Sequence, residues 1–217
     1  MEIYISIDGV LRNTIQKFDY HYKDLFFNSE KDDNDNFEYE INEPIKNDSL
    51  YDCYKFQSKE HFDYFTYIEY PLEIFGHAGL SHENAITNLN KLIALNNEHN
   101  FTLVGLDEFG KAKPGTLFFL SKNGFMGNNI KFIKTDEIDA HWKTCDLWIT
   151  DNKKIIDKCP EDKSAIKFNT HYNQHFTTNK EITKLTQIEE PCLKSLEENT
   201  ILISTQSSKN VESNNNQ

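Results

Sequence analysis

The sequence predicts a three-layer α/β fold, in which a parallel sheet lies between two layers of helices. The first observation is a short apolar segment at residues 2–8, rich in β-branched side chains and bounded by a glycine, which is typical of a buried strand. The second is that similar segments recur along the chain, at residues 101–104, 129–133, 145–150 and 164–168. The third is that helical patterns separate several of these segments, and this alternation is typical of a Rossmann-like parallel sheet.

The helices are predicted from apolar spacing and from their end signals. The clearest covers residues 81–97, where apolar side chains recur at helical spacing. Another begins at Pro114 and ends at Asn123-Gly124, a typical C-terminal stop. Residues 12–27 are predicted to be a helix, and residues 136–142 a turn or short helix. Because crossovers between parallel strands are right-handed, the functional crevice is expected at the carboxyl ends of the strands.

The chain divides into a core, an insertion and a C-terminal extension. Residues 1–27 and 77–178 form the predicted core, since 217 residues suffice for one domain with a modest insertion. Residues 28–76 are that insertion, predicted to be a small cap or lid that begins with a polar loop and continues with aromatic and acidic residues. Residues 179–217 are predicted to be an arm or tail, because their polar end cannot form a core of its own.

The composition limits the classes of partner. A net charge of −12 argues against nucleic-acid binding through a basic face. The chain shows neither a secretion signal nor an apolar run of the roughly 18 residues that a membrane span needs, so we expect a cytoplasmic protein without a membrane anchor. The cysteines are scattered, which predicts free thiols, at Cys53, Cys145, Cys159 and Cys192.

Three stretches place chemistry-bearing residues near predicted strands. The first strand ends in Ser6-Ile7-Asp8-Gly9-Val10, and the fourth ends in Thr150-Asp151 and is followed at a distance by His171-Tyr172-Asn173. Between them, the stretch Lys113 to Lys122 precedes the strand at 130–133. Together these stretches resemble the haloacid-dehalogenase-like (HAD-like) phosphohydrolase superfamily, most of all its small 5′-nucleotidase-like branch, over residues 2–12 and 81–175.

The resemblance implies a role for each of these positions. It puts Ser6 where the family has its nucleophilic aspartate, and Asp8 where the family has an acid/base that helps to organise Mg²⁺. The family's pair of metal-binding acids corresponds to Thr150-Asp151, of which only Asp151 is acidic. Lys143 is the candidate for the lysine that neutralises the transferred phosphate, with Lys134 and Lys113 as alternatives. The hydroxyl residue expected after the second strand is missing, because that strand ends in Gly105-Leu106-Asp107, where Asp107 would repel phosphate.

These replacements predict a site that has lost its chemistry. A carboxylate nucleophile binds Mg²⁺ and forms an acyl phosphate that water hydrolyses quickly, whereas a phosphoserine would be a stable ester. Asp8 and Asp151 without a third carboxylate are expected to bind Mg²⁺ weakly, on the order of millimolar, because this ion demands near-octahedral oxygen ligation. We therefore expect no cofactor and a vestigial site formed by Ser6, Asp8, Lys143 and Asp151.

The leading hypothesis is a non-catalytic HAD-like domain that serves as a structural or protein–protein assembly module. Its partners would be other protein subunits, and the small size and Asn/Lys/Ile-rich composition resemble ring or connector components of bacteriophage virions, so a virion is the other expected location. The alternative is a Mg²⁺-dependent 5′-nucleotidase-type phosphatase, in which Asp8 and Asp151 hold the metal and Asp8, Asp107 or Asp151 replaces the nucleophile. A third hypothesis is a module that binds a phosphate ligand without hydrolysing it.

Overall fold

The computed structural model describes residues 1–27 and 54–188, which form an α/β arrangement around one parallel sheet. In chain order, the strands are β1 (Glu2–Ser6), β2 (Arg12–Asn13), β3 (Gly79–Leu80), β4 (Asn100–Leu106), β5 (Ile130–Ile133), β6 (Leu147–Thr150), β7 (Ser164–Phe168) and β8 (Glu181–Ile182). The α-helices are α1 (Thr14–Phe27), α2 (Lys59–Tyr64), α3 (Ala85–Leu95), α4 (Ala112–Lys122), α5 (Ile138–Trp142) and α6 (Lys153–Asp157). Two π-helices, Phe65–Glu69 and Leu72–Gly76, follow α2.

The main sheet has six strands in the order β5-β4-β1-β6-β7-β8, and every pair is parallel. The central strand β1 pairs with β4 on one side and with β6 on the other. This order is consistent with a Rossmann-like fold, and the prediction of an α/β fold with a parallel sheet is confirmed. Because all strands point the same way, the residues that follow β1, β4, β5 and β6 meet at one edge of the sheet.

Alternation along the strands divides the core into two faces. Ile3, Ile5 and Ile149 point to one face, where they pack with buried residues of α3 and α4. Tyr4 and Trp148 point to the other face, together with buried residues of α5 and α6. Each fully buried large apolar side chain stabilises the fold by about 1.5–3 kcal/mol relative to its exposed state. Helices therefore cover both faces of the sheet, as the three-layer prediction requires.

A separate aromatic cluster lies beside the carboxyl edge of the sheet. Phe18 of α1 packs there against Phe62 of α2 and Phe65 of the first π-helix, and Phe75 of the second π-helix belongs to the same cluster. Much of this cluster comes from residues 54–76, the part of the predicted insertion that the structure describes. Residues 28–53, which include the predicted polar loop of the insertion, lie outside the described residues.

Several boundaries differ from the predictions. Helix α1 begins at Thr14 instead of residue 12, because Arg12–Asn13 pairs antiparallel with Gly79–Leu80 as β2 and β3. Part of the predicted C-terminal extension belongs to the sheet, since β8 pairs with β7 and Leu185 is fully buried in the core. Residues 189–217 lie outside the described residues. In residues 1–27 and 54–188, every helix is too short or too polar to cross a membrane.

Candidate functional site

A cavity of about 720 Å³ opens at the carboxyl edge of the sheet, where the strand order predicts a functional crevice. Its floor includes residues that follow four strands: Asp8 after β1, Glu108 after β4, Lys134 after β5 and Asp151 after β6. Its opposite wall is formed by side chains of α1, α2 and the π-helices. The volume lies in the range of small-molecule binding sites.

Ser6 and Thr150 are the last residues of the neighbouring strands β1 and β6, and their hydroxyl groups form a hydrogen bond. Ser6 Oγ donates to Thr150 Oγ1 at 2.8 Å and accepts a hydrogen bond from Trp148 Nε1 at 3.1 Å. Thr150 Oγ1 also accepts from the backbone N–H of Asn152 at 3.1 Å. Ser6 is 6% exposed and Thr150 is fully buried. Both hydroxyls are therefore committed to the protein interior and not to the cavity.

Asp8 is held by Arg12, which is the only arginine of the chain. Asp8 Oδ1 accepts hydrogen bonds from Arg12 Nε at 2.9 Å and Nη2 at 2.6 Å, and also from Thr14 Oγ1. Arg12 is 1% exposed, and its Nη1 donates to the Phe75 carbonyl at 2.6 Å and to Thr116 Oγ1 at 2.9 Å. The guanidinium thus joins the loop after β1 to α1, to the second π-helix and to α4. These contacts give the buried guanidinium the pairing that a buried charge requires.

Asp151 lies directly over Gly9, and only a glycine leaves room for it. A Cβ atom on Gly9 would be 2.0 Å from Asp151 Oδ2, and Gly9 has a φ of +73°, a conformation that glycine adopts without steric cost. The loop after β1 and the loop after β6 therefore touch through this pair. As a result, the side chains of Asp8 and Asp151 face the same end of the cavity.

Asp151 carries the most perturbed carboxyl group of the site. Burial raises the pKa of Asp151 to about 7, a hydrogen bond from Tyr172 opposes this shift, and the charge of Asp8 adds to it. Tyr172 Oη donates to Asp151 Oδ2 at 2.5 Å, and Asn173 Nδ2 donates to the Asp151 carbonyl at 3.1 Å. These two hydrogen bonds connect the segment after β7 to the end of β6. Burial likewise raises the pKa of Tyr172 far above its ordinary value.

Lys143, the lysine predicted from the sequence to neutralise a phosphate, does not line the cavity. Lys143 caps the C-terminal end of α5, is exposed, and precedes the amino end of β6, so it stands at the opposite edge of the sheet from Asp151. Of the alternatives, Lys134 lines the cavity, whereas Lys113 Nζ lies 5.7 Å from the centre of the Phe132 ring. Three further lysines line the cavity without having been predicted, namely Lys59, Lys153 and Lys154.

Asp107 does not face a phosphate position, contrary to the expectation from its place after β4. Its carboxylate accepts hydrogen bonds from the backbone N–H groups of Lys111 at 2.9 Å and Lys113 at 3.0 Å, and the residue is 4% exposed. It therefore caps the start of α4, where N–H groups lack intrahelical partners. Both carboxylate oxygens accept a backbone hydrogen bond and Asp107 does not line the cavity, which argues against Asp107 as a substitute nucleophile or metal ligand.

Tyr67 was missed by the sequence reasoning, as were the aromatic rings around it. Its ring stacks on Phe75 at 5.6 Å and contacts Phe109 at 5.1 Å, and all three residues line the cavity. Burial raises the pKa of the Tyr67 hydroxyl, and the charges of Asp8 and Glu108 add to the shift. The high aromatic content of residues 54–76 was the available signal, but it did not indicate which rings would face the cavity.

The candidate metal ligands reduce to two carboxylates. Within residues 1–27 and 54–188, no group of three or more His, Cys, Asp or Glu side chains is arranged to hold a metal ion. Asp8 and Asp151 remain, each with one oxygen that accepts hydrogen bonds from neighbouring side chains, Oδ1 of Asp8 and Oδ2 of Asp151. Two ligands satisfy only part of the oxygen coordination that Mg²⁺ requires.

No protein-family model matches this chain, and no curated protein is similar to it at a significant level. The six-stranded sheet establishes an α/β fold of Rossmann-like order, which hosts many unrelated functions. A functional conclusion must therefore come from the residues at the carboxyl edge of the sheet.

Proposed function

We propose that this chain is a non-catalytic HAD-like domain that acts as a structural, protein–protein assembly module. The observation that carries the proposal is the hydrogen bond between Ser6 and Thr150. In the HAD-like pattern these two positions hold carboxylates that face the substrate and the metal. Here they hold hydroxyl groups that satisfy each other beneath the cavity.

The bonding of Ser6 argues against its use as a nucleophile. A serine nucleophile requires a base that takes its proton and an approach path for the phosphorus atom. The Ser6 hydroxyl instead donates a hydrogen bond to Thr150 and accepts one from Trp148 in the sheet interior. One oxygen of Asp8, Oδ1, is also committed, because it accepts hydrogen bonds from both Arg12 and Thr14. The strand ends thus stabilise the fold, and this use of the positions supports a structural role.

The surface supports the assembly part of the proposal. Leu72 and Phe118 are exposed neighbours, since a Cβ atom on Gly76 would contact both side chains. Leu117, next to Phe118 on α4, and Ile68 on the first π-helix are exposed as well. Exposed apolar side chains that lie together are typical of protein interaction sites. A ring or connector subunit of a bacteriophage virion is one role for such a module, and it stays a prediction from the sequence resemblance.

A native-size measurement tests the assembly function. We expect the protein from its native source to run well above the 25.5 kDa of the chain, bound to other subunits. The double substitution Leu72→Asp with Phe118→Asp should reduce it to a monomer, because charges in an apolar interface are costly. Leu95→Asp is the matched control, since Leu95 is exposed on α3. A wild-type protein that is a clean monomer and binds nothing from its source would contradict the proposal.

The Mg²⁺-dependent phosphatase remains the second candidate because Asp8 and Asp151 share one end of the cavity. Calorimetric titration with Mg²⁺ discriminates between the two candidates. The assembly proposal predicts binding on the order of millimolar or weaker, since two carboxylates leave most of the octahedral coordination to water. Micromolar binding that disappears in Asp151→Asn would favour the phosphatase.

A further inference from the structure

We propose that the cavity binds a small organic cation, an ammonium group carried on an apolar or aromatic body. This inference goes beyond the assembly function, because it concerns a ligand that the assembly role does not need. It rests on three features of the cavity: its aromatic wall, its carboxylates and the placement of its lysines.

The aromatic wall provides several rings that line the cavity. The Tyr67 ring stacks on Phe75 with ring centres 5.6 Å apart, and the Phe109 ring lies tilted against Tyr67 at 5.1 Å. Phe18 and Phe62 line the cavity nearby, with their ring centres 5.6 Å apart. Aromatic faces attract cations within about 6 Å of the ring centre, and rings arranged around a pocket are a recurring means of ammonium recognition. Such rings also bury the apolar part of an amine.

Two carboxylates, those of Asp8 and Asp151, line the same cavity. The hydrogen bonds donated to Asp8 reach Oδ1 and those donated to the Asp151 side chain reach Oδ2, which leaves Asp8 Oδ2 and Asp151 Oδ1 for a ligand. Both residues line the cavity, and Asp151 lies against Gly9, next to Asp8. A cation bound there would gain charge-assisted hydrogen bonds to these oxygens.

The lysines of the lining do not cancel this preference. Lys59 Nζ is paired with Asp63 at 3.0 Å, and Lys153 Nζ is paired with Asp157 at 2.5 Å. Lys134 and Lys154 are exposed, so their charges are in contact with solvent. The net charge of −12 further favours the approach of cations over anions.

Calorimetry with 2-phenylethylammonium, and with 3-phenylpropionate as an anion of similar shape, tests the charge preference on the full chain. We expect the amine to bind and to raise the melting temperature, while the acid does neither. Asp151→Asn should weaken amine binding by about tenfold or more, because a charge-assisted hydrogen bond is lost. Asp139→Asn, at an exposed carboxylate on α5 outside the cavity, should leave it unchanged.

A second variant keeps the test independent of any folding defect at Asp151. Phe109→Ala removes a half-exposed ring from the cavity wall and should weaken amine binding several-fold. Equal binding of the acid, no binding of the amine, or an equal loss in Asp139→Asn would overturn the proposal. Mg²⁺ that stabilises the wild type while the amine does not would also overturn it, in favour of a metal site. None of these results depends on whether the chain assembles with partners.

Discussion

The central strands β1 and β6 carry two layers of polar residues that differ in how they are used. At the strand ends, Ser6 and Thr150 form a hydrogen bond that is closed to the cavity. In the loops that follow, Asp8 and Asp151 keep their carboxylates at the cavity, supported by Arg12 and Tyr172. The difference shows that the two layers are separable. The inner layer contributes to sheet stability, while the outer layer keeps charged groups where a ligand can reach them.

The largest effect is expected at the support of the outer layer. Arg12→Met should lower the free energy of unfolding by about 3–5 kcal/mol, because Asp8 would lose its buried ionic partner. Urea denaturation measures the loss. The free energy of unfolding of Arg12→Lys should lie between those of wild type and Arg12→Met, since lysine keeps the charge but cannot reproduce the guanidinium geometry. A loss below about 1 kcal/mol in Arg12→Met would show that the outer layer does not depend on this ion pair.

The outer layer should also make stability depend on pH. The pKa of Asp151 is raised to about 7 in the folded protein, above the ordinary value of about 3.9 in the unfolded chain. Between these values the folded state holds the proton more tightly, so the free energy of unfolding falls as the pH rises and levels off above about 7. We expect wild type to lose about 2 kcal/mol more than Asp151→Asn between pH 5 and pH 7.

Urea unfolding at several pH values provides this measurement for the two proteins. Asp139→Asn serves as the control, since this carboxylate is 66% exposed and should leave the pH dependence of the wild type intact. Parallel curves for wild type and Asp151→Asn would show that the Asp151 carboxyl group does not titrate as the cavity geometry requires.

The contact between the two loops is expected to be less costly to break. Gly9→Ala should destabilise the fold by about 2 kcal/mol, because alanine is strained at positive φ and its Cβ would displace the Asp151 carboxylate. Gly79→Ala is the control, since a Cβ atom there meets no neighbour and the change should stay within about 0.5 kcal/mol. Thermal unfolding of both variants measures the difference in stability. Equal destabilisation by the two substitutions would contradict the steric explanation for glycine at position 9.

The smallest effect is expected in the inner layer. Ser6→Ala should cost about 1–2 kcal/mol, because the Trp148 indole N–H would lose its acceptor in the core. Ser121→Ala on the exposed face of α4 should cost nothing measurable, since alanine is a good helix former. Chemical denaturation compares the two. If Ser6→Ala is as stable as wild type, the inner layer is not the structural unit that its hydrogen bonds indicate.

The parallel sheet could be predicted because its signals are local. Buried strands such as Glu2–Ser6 and Leu147–Thr150 are short apolar runs, and the helix Ala85–Leu95 shows helical spacing of apolar residues. The β2–β3 pair could not be predicted, since each strand has two residues and the pairing joins distant parts of the chain. Strand β8 was missed for the same reason of length.

The site was predicted only where its residues follow strands directly. Asp8 and Asp151 both line the cavity because the carboxyl ends of neighbouring strands meet. Lys143 was chosen for its nearness to β6 in sequence, but it precedes the strand and so lies at the other edge. The roles of Arg12 and Asp107 depend on partners brought together by folding, the Phe75 carbonyl and the backbone of α4, which sequence spacing does not reveal.

Phosphate release from a panel of nucleoside monophosphates with Mg²⁺ tests the central claim most directly. The wild type and Asp8→Asn should release phosphate at the same background rate, because the inner layer offers no nucleophile to the cavity. The double substitution Ser6→Asp with Thr150→Asp provides the comparison, since it restores the carboxylates that the HAD-like pattern places there. Turnover by the wild type that disappears in Asp8→Asn would contradict the account and identify a phosphatase with a relocated nucleophile.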